Sequence, residues 1–260
     1  MIKRLLSFLF LIMFVTCGCT GRNDDLAAVT KRGKIIVGVR TDARPFGFRD
    51  LRGNLVGYDI ELAGYMAKAI LGNSNAVEFV PVTAENRIEK LNSGQVDMLI
   101  ATMSITDQRR LVVDFSTPYY IAGQALMVKS LSRINSLRHL NGKRVIIVFG
   151  STGEDSIKRN VPEAVVLGFK TYPEAFQALV NGQGDALIAD DIMLINFAAE
   201  NRSVKMLPHR YSAEPYAIAF RYGEKSERLK KRVNFALENL KAMGVIRNLD
   251  KKWGVERSRN

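Results

Sequence analysis

Apolar positions along this chain follow two rhythms that alternate. Lys34-Ile-Ile-Val-Gly-Val-Arg40 is a short β-branched run and predicts a strand over 34–40. Residues 42–57, rich in Gly, Arg and Pro, predict a loop or hairpin. Over 59–71, Ile60, Leu62, Ala63, Met66, Ala67 and Ile70 recur at helical spacing, and Gly72 closes the helix. A second strand is predicted at 77–82, a short helix at 85–92 ended by Gly94, and a third strand at 96–101. Strands alternating with helices predict an α/β fold with a largely parallel sheet.

The order then recurs. A strand is predicted at 145–149, a helix from 156, a strand at 165–169, a helix at 172–180 and a strand at 186–189. Ser93-Gly94-Gln95-Val96-Asp97 in one half parallels Asn181-Gly182-Gln183-Gly184-Asp185 in the other. Two similar α/β lobes with a cleft between them follow, and small-ligand sites favour such interfaces. A long amphipathic helix is predicted at 225–243, and Trp253 sits in a short basic tail.

Composition narrows the function. The 260 residues, 47% hydrophobic and 25% charged, suffice for a core without disulfide or metal staples. Two cysteines and two histidines are too few for a Cys/His structural zinc site. A net charge of +12 suggests an acidic ligand, nucleic acid or an anionic membrane surface. The basic residues are scattered rather than striped with aromatics, which argues against nucleic acid. No Ser/His/Asp or Cys/His arrangement exists in the body, and His139 and His209 read as surface residues.

Lys3 and Arg4 precede an apolar run over 5–15 that ends in Thr16-Cys17-Gly18-Cys19. The run has signal-peptide length and is too short for an ordinary membrane span. The segment resembles a bacterial lipoprotein leader, with Gly18 preceding Cys19 as the lipidated residue. Thr16 stands where such leaders usually carry Leu. The expectation is a leader at 1–18 and a tether at 19–33, on an exported protein in the periplasm or at the cell surface. Cys19 would hold it to the membrane.

Four segments carry a further resemblance. Gly57-Tyr58-Asp59-Ile60-Glu61-Leu62, with Met66-Ala67 and Ile70, is similar to the signature of the family 3 extracellular solute-binding proteins, the polar-amino-acid receptors of ABC importers. Residues 97–109, Asp114-Phe-Ser-Thr-Pro-Tyr-Tyr120 and Lys251-Lys-Trp-Gly254 resemble further family segments in consistent order. The resemblance implies a periplasmic-binding-protein-like type II fold, two α/β lobes joined by two hinge segments. Lobe one would hold residues 34–121 plus 214–260, and lobe two residues 122–213. It implies a monomer without cofactor or metal that hands an amino acid to a permease and its ATPase.

A free amino acid is a zwitterion, and a pocket that buries it must pair both charges. Arg109 stands where the family's carboxylate-binding arginine stands, and such a fork binds both oxygens at once. Ser104 and Thr102 resemble its hydroxyl and backbone ligands, for carboxylate and amine respectively. Asp190 matches the ammonium-binding aspartate, with Asp185 a turn residue and Asp191 a rival. Thr152, in the Gly150-Ser151-Thr152-Gly153 turn, matches the second lobe's carboxylate site; a helix start attracts anions. Within the family, 77–87 with Ala101-Thr102 is most similar to the aspartate/glutamate receptors. There, basic residues at the positions of Arg40 and Arg87 reach the side-chain carboxylate, and Tyr172 matches a ligand contact. Ala43 stands where many members carry an aromatic platform, and Arg44 adds charge at the cleft mouth. Glutamate or aspartate is thus the expected ligand, with room left for glutamine or another polar ligand. The rival reading is a dehydratase on the same fold, of the cyclohexadienyl or arogenate type, with Glu154 or Glu174 as acid.

Overall fold

The computed structural model describes residues 24–256; the expected leader, Cys19 and residues 19–23 of the expected tether lie outside the described residues, whereas Asp25–Arg32 of that tether form a helix. Two five-stranded sheets organise the chain. The first has the order Val77–Pro81, Ile35–Val39, Met98–Leu99, Ala219–Arg221, Val113–Phe115. The second has the order Val165–Phe169, Arg144–Val148, Ala186–Asp190, Gln124–Lys129, Val204–Met206. The β-branched runs supply these central strands, which are buried on both faces as parallel strands must be.

Each sheet departs from the expected parallel order in its fourth strand. Ala219–Arg221 runs antiparallel to both neighbours, and so does Gln124–Lys129. Both are the first strand after the chain passes from one sheet to the other. The parallel strands end at the facing side, so a chain arriving from that side runs the opposite way. The two passages, Tyr120–Ala122 and Glu214–Tyr216, pair antiparallel as a two-stranded ribbon. Phe46 closes against it, with ring centroids 5.0 Å from Tyr120, 5.3 Å from Tyr216 and 5.4 Å from Tyr58.

The repeated Gly-Asp pentapeptides form the same turn twice. Gly94 and Gly182 take φ of 78° and 74°, a left-handed conformation that favours glycine. Asp97 then accepts from the Ile36 N–H at 2.7 Å, and Asp185 from the Arg144 N–H at 2.8 Å. Each aspartate starts its strand beside the neighbouring one. The helix Glu224–Ala242 buries Leu229, Val233, Ala236, Leu237 and Leu240, at helical spacing, against the helices Asp25–Arg32 and Tyr58–Leu71.

Other element boundaries differ in instructive ways. The expected helix from 156 begins at Thr152, because Ser151 caps it by accepting from the Glu154 N–H at 3.4 Å. The strand expected over 96–101 is reduced to Met98–Leu99, as the chain turns at Thr102 with φ of 48°. The loop over 42–57 is a three-stranded antiparallel sheet.

Candidate functional site

The carboxyl ends of the parallel strands in both sheets face one another, the usual ligand position in open α/β sheets. From the first sheet, Arg40 follows Ile35–Val39 and is 1% exposed. Its Nε and Nη2 donate to the two oxygens of Asp42 at 2.7 and 2.6 Å, and its guanidinium lies 5.1 Å from the centre of the Tyr172 ring. Burial pulls Arg40 towards deprotonation, but the Asp42 carboxylate outweighs it and leaves the arginine above its ordinary range.

Arg87 starts the helix Arg87–Asn92 and is 3% exposed. Its Nη1 donates to the carbonyls of Ala101 at 2.7 Å and Thr102 at 3.4 Å, while its Nε is buried with no acceptor. It forms no ion pair among the described residues. Burial, then repulsion from Arg109 and Arg40, holds it well below the usual arginine range. Thr102 donates its backbone N–H to Asp59 at 3.0 Å, and the Tyr119 hydroxyl donates to the other Asp59 oxygen at 2.8 Å. Burial pushes Asp59 up to about 7 despite these bonds.

Arg109 lies on the short helix Asp107–Arg110 capped by Thr106. Its Nη1 donates to the Ser104 carbonyl at 2.8 Å and its Nη2 to the Gly150 carbonyl at 3.0 Å, reaching from the first sheet's side to the second's. Burial lowers it, with Glu214, Asp155 and Asp190 opposing. Ser104 is buried and bridges to Tyr216.

From the second sheet, Thr152 accepts from the Gln124 amide at 2.9 Å. Asp190 ends its strand, 4% exposed, and takes the Gln124 amide on one oxygen at 2.5 Å and the Tyr216 hydroxyl on the other. Burial, then the nearby Glu214, pushes it up to about 7. Its rival Asp191 is committed elsewhere, to an ion pair with Arg210 and the N–H groups of Gly123 and Ile192. Tyr172, buried, starts the helix Tyr172–Val180 and donates its backbone N–H to Asp42 at 3.1 Å.

The structure therefore brings Arg40, Arg87, Thr102, Ser104, Arg109, Thr152, Tyr172 and Asp190 to one cleft. Sequence reasoning missed the residues that hold them: Asp42, Asp59, Gln124 and Tyr216. Gln124 had a signal, a lone polar residue inside the apolar run Gln-Ala-Leu-Met-Val. The cleft mouth forms a cavity of about 380 Å³ whose lining includes Phe48, Phe176 and Phe197. Arg44 lies there over the Phe48 ring, 4.3 Å from its centre, and 3.7 Å from Glu200.

The acids proposed for a dehydratase do structural work. Glu154 accepts from the Gly150 N–H at 3.0 Å, and Glu174 closes the capping box with Thr171. His139 and His209 are exposed, and no cluster of three metal-ligating side chains exists among the described residues.

Residues 35–256 match the model of the bacterial extracellular solute-binding proteins, family 3. The chain belongs to this family. It is 40% identical over 260 residues to the ABC transporter glutamine-binding protein GlnH of Bacillus subtilis, covering 96% of this chain and 94% of that one. It is 44% identical over 197 residues to a glutamine-binding protein of Geobacillus stearothermophilus, covering 75% of each. Among solved structures, an ancestral arginine-binding protein bound to glutamine superimposes with a TM-score of 0.81 at 40% identity, covering 86% of this chain and 99% of that one. Both relatives are solute-binding proteins, not enzymes, and the fold is the type II fold of such proteins.

Proposed function

We propose that this protein captures a free polar amino acid, L-glutamine above all, and delivers it to the permease and ATPase of an ABC importer. The carrying observation is the pair Arg109 and Asp190. They come from opposite sheets, both are buried, each feels the other's charge, and neither is in an ion pair among the described residues. A zwitterion between them completes both: Arg109, Ser104 and Thr152 take the α-carboxylate, while Asp190 and the Thr102 backbone take the ammonium. Closure of lobe one (34–121 and 214–260) on lobe two (122–213) about the Tyr120–Ala122 and Glu214–Tyr216 ribbon traps the ligand.

The choice of an amide over an acid rests on Arg40. Asp42 already occupies its Nε and Nη2, so its charge is matched before any ligand arrives. Both glutamine-binding relatives support the same choice. Glutamate or aspartate is the second reading, favoured by Arg87, whose buried charge has no carboxylate partner. In this reading of the cell biology, the protein is exported and lipidated at Cys19, and acts as a monomer.

The test is calorimetric titration of ligand-stripped protein with glutamine, glutamate, aspartate, arginine, histidine and cystine. Glutamine is expected to bind at least about tenfold tighter than glutamate, the size of one hydrogen-bond mismatch. Tighter binding of glutamate reverses the amide assignment and leaves the transport reading standing. No binding by any of the six overturns the reading.

A further inference from the structure

Gln124 opens the strand Gln124–Lys129, is 1% exposed, and stands in register with Asp190. Its Nε2 donates to Asp190 Oδ1 at 2.5 Å and to Thr152 Oγ1 at 2.9 Å. Asp190 dictates the orientation of the amide, because a carboxylate accepts from N–H and repels C=O. The amide oxygen is buried without a donor. Gly153 makes room for it: a Cβ there would stand 3.1 Å from that oxygen and 3.2 Å from the Ile188 carbonyl.

A hydroxyl has one proton and two lone pairs. Because Thr152 Oγ1 accepts from Gln124, its own proton is left to donate, at the start of the helix Thr152–Asn160 where anions are favoured. The other Gln124 N–H holds one Asp190 oxygen, and the Tyr216 hydroxyl holds the second. Asp190 is thereby an oriented acceptor for a cation. One amide sets the hydrogen-bond polarity of both groups.

We propose that Gln124 is the positioning residue for both poles of the ligand, making Thr152 a donor to the α-carboxylate and Asp190 an acceptor for the α-ammonium. This rests on the amino-acid reading above and deepens it. The ligand class it demands is an α-amino acid with both groups free, so amidated, acylated and peptide-linked forms are rejected.

The test uses Gln124→Met, of similar volume, and Gln124→Glu. Each is titrated with L-glutamine, with 4-aminobutanamide (no carboxylate) and with 5-amino-5-oxopentanoate (no ammonium), by direct or competition calorimetry. In Gln124→Met, affinity for L-glutamine is expected to fall about 30- to 100-fold, for two lost hydrogen bonds of which one is charge-assisted. Each analogue, which keeps one pole, loses less. The pH at which binding fades also moves upward, since Asp190 has lost a donor. Asp190 is faced by Tyr216 and Glu214 from the returning segment, by Arg109 from lobe one, by Tyr172, and by Asp191 beside it. Gln124→Glu is expected to weaken binding more at pH 8 than at pH 6, the opposite trend to wild type, and this stands as evidence if Gln124→Met does not fold. A loss equal for all three ligands with an unmoved pH profile means packing alone and overturns the proposal. So does glutamine binding within about threefold of wild type, below the value of one hydrogen bond. If wild type binds no amino acid, the reading beneath the proposal fails first.

Discussion

Asp42 Oδ2 accepts the backbone N–H of Tyr172 at 3.1 Å, joining the first lobe to the second through an oxygen that also accepts from Arg40. The same carboxylate thus neutralises a buried arginine and ties the lobes together. Replacing it separates the two effects of charge and geometry. In Asp42→Asn the Arg40 fork loses its bidentate partner. Glutamine affinity is expected to fall about tenfold, and the preference for glutamine over glutamate to narrow by about as much, since a charged bond is worth 1.5–3 kcal/mol. Calorimetry with both ligands on the variant checks this.

Arg87→Met tests the buried cation that lacks a carboxylate. Arg87 is repelled by Arg109 and Arg40, so removing it relieves the ligand-free protein even as the Ala101 carbonyl loses a donor. A buried charge without a counter-charge is costly, so an apolar side chain of similar volume removes that cost. The melting temperature without ligand is therefore expected to stay level or rise, while affinity for glutamate falls by about 100-fold if Arg87 meets a side-chain carboxylate and glutamine affinity moves much less. A large drop in ligand-free stability would show that Arg87 serves the fold rather than the ligand.

The two buried carboxyls give opposite pH trends for stability and binding. Asp59 and Asp190 are each pushed up to about 7 in the folded protein. Unfolded aspartate releases its proton near about pH 4. Between these limits the folded state holds more protons, so ligand-free stability falls as pH rises from about 4 to 7 and then levels, as far as these groups decide it. Binding of the ligand ammonium needs ionised Asp190, so affinity rises over the approach to pH 7 and then levels. Melting curves without ligand and titrations from pH 5 to 8 measure the two trends.

Gly150→Ala is expected to obstruct closure. Gly150 has φ of 71°, and a Cβ there would lie 2.6 Å from the Ala84 carbonyl of the opposite lobe. Backbone does not yield as a flexible side chain does. Left-handed backbone alone costs a non-glycine residue about 1–2 kcal/mol, and loss of the closed contact adds to it. Affinity should fall at least about tenfold, with small-angle scattering showing a larger radius of gyration in the presence of ligand.

Glu200→Gln is expected to change little. Its ion pair with Arg44 spans 3.7 Å, with the side chains 61% and 47% exposed. Exposed pairs contribute about 0–1 kcal/mol, so affinity should move less than about fivefold, and less again at high salt. A larger effect would make the cleft mouth a latch.

Much of the site was legible before folding. Arg109 and Asp190 could be named because they match the family's carboxylate-binding arginine and ammonium-binding aspartate, and Asp190 also ends an apolar strand. Arg40 was found too, but its partner was not. The Asp42 side chain is two residues away, and only the turn into the small three-stranded sheet aims it back at Arg40. Gln124 and Thr152 lie 28 residues apart, and Gln124 and Asp190 lie 66 apart. No periodicity links such positions.

The sequence by itself determined most of the strands and helices and the repeated Gly-Asp turns. These follow from forces acting within a few residues: helical and strand periodicity, caps, and glycine at positive φ. Tertiary structure alone decided the reversed fourth strand of each sheet, the claim of Asp42 on Arg40, and the amide of Gln124 between Asp190 and Thr152. Those depend on the chain passing twice between lobes and on charges buried within hydrogen-bond reach. Burial makes each of them pair, and only packing decides with what.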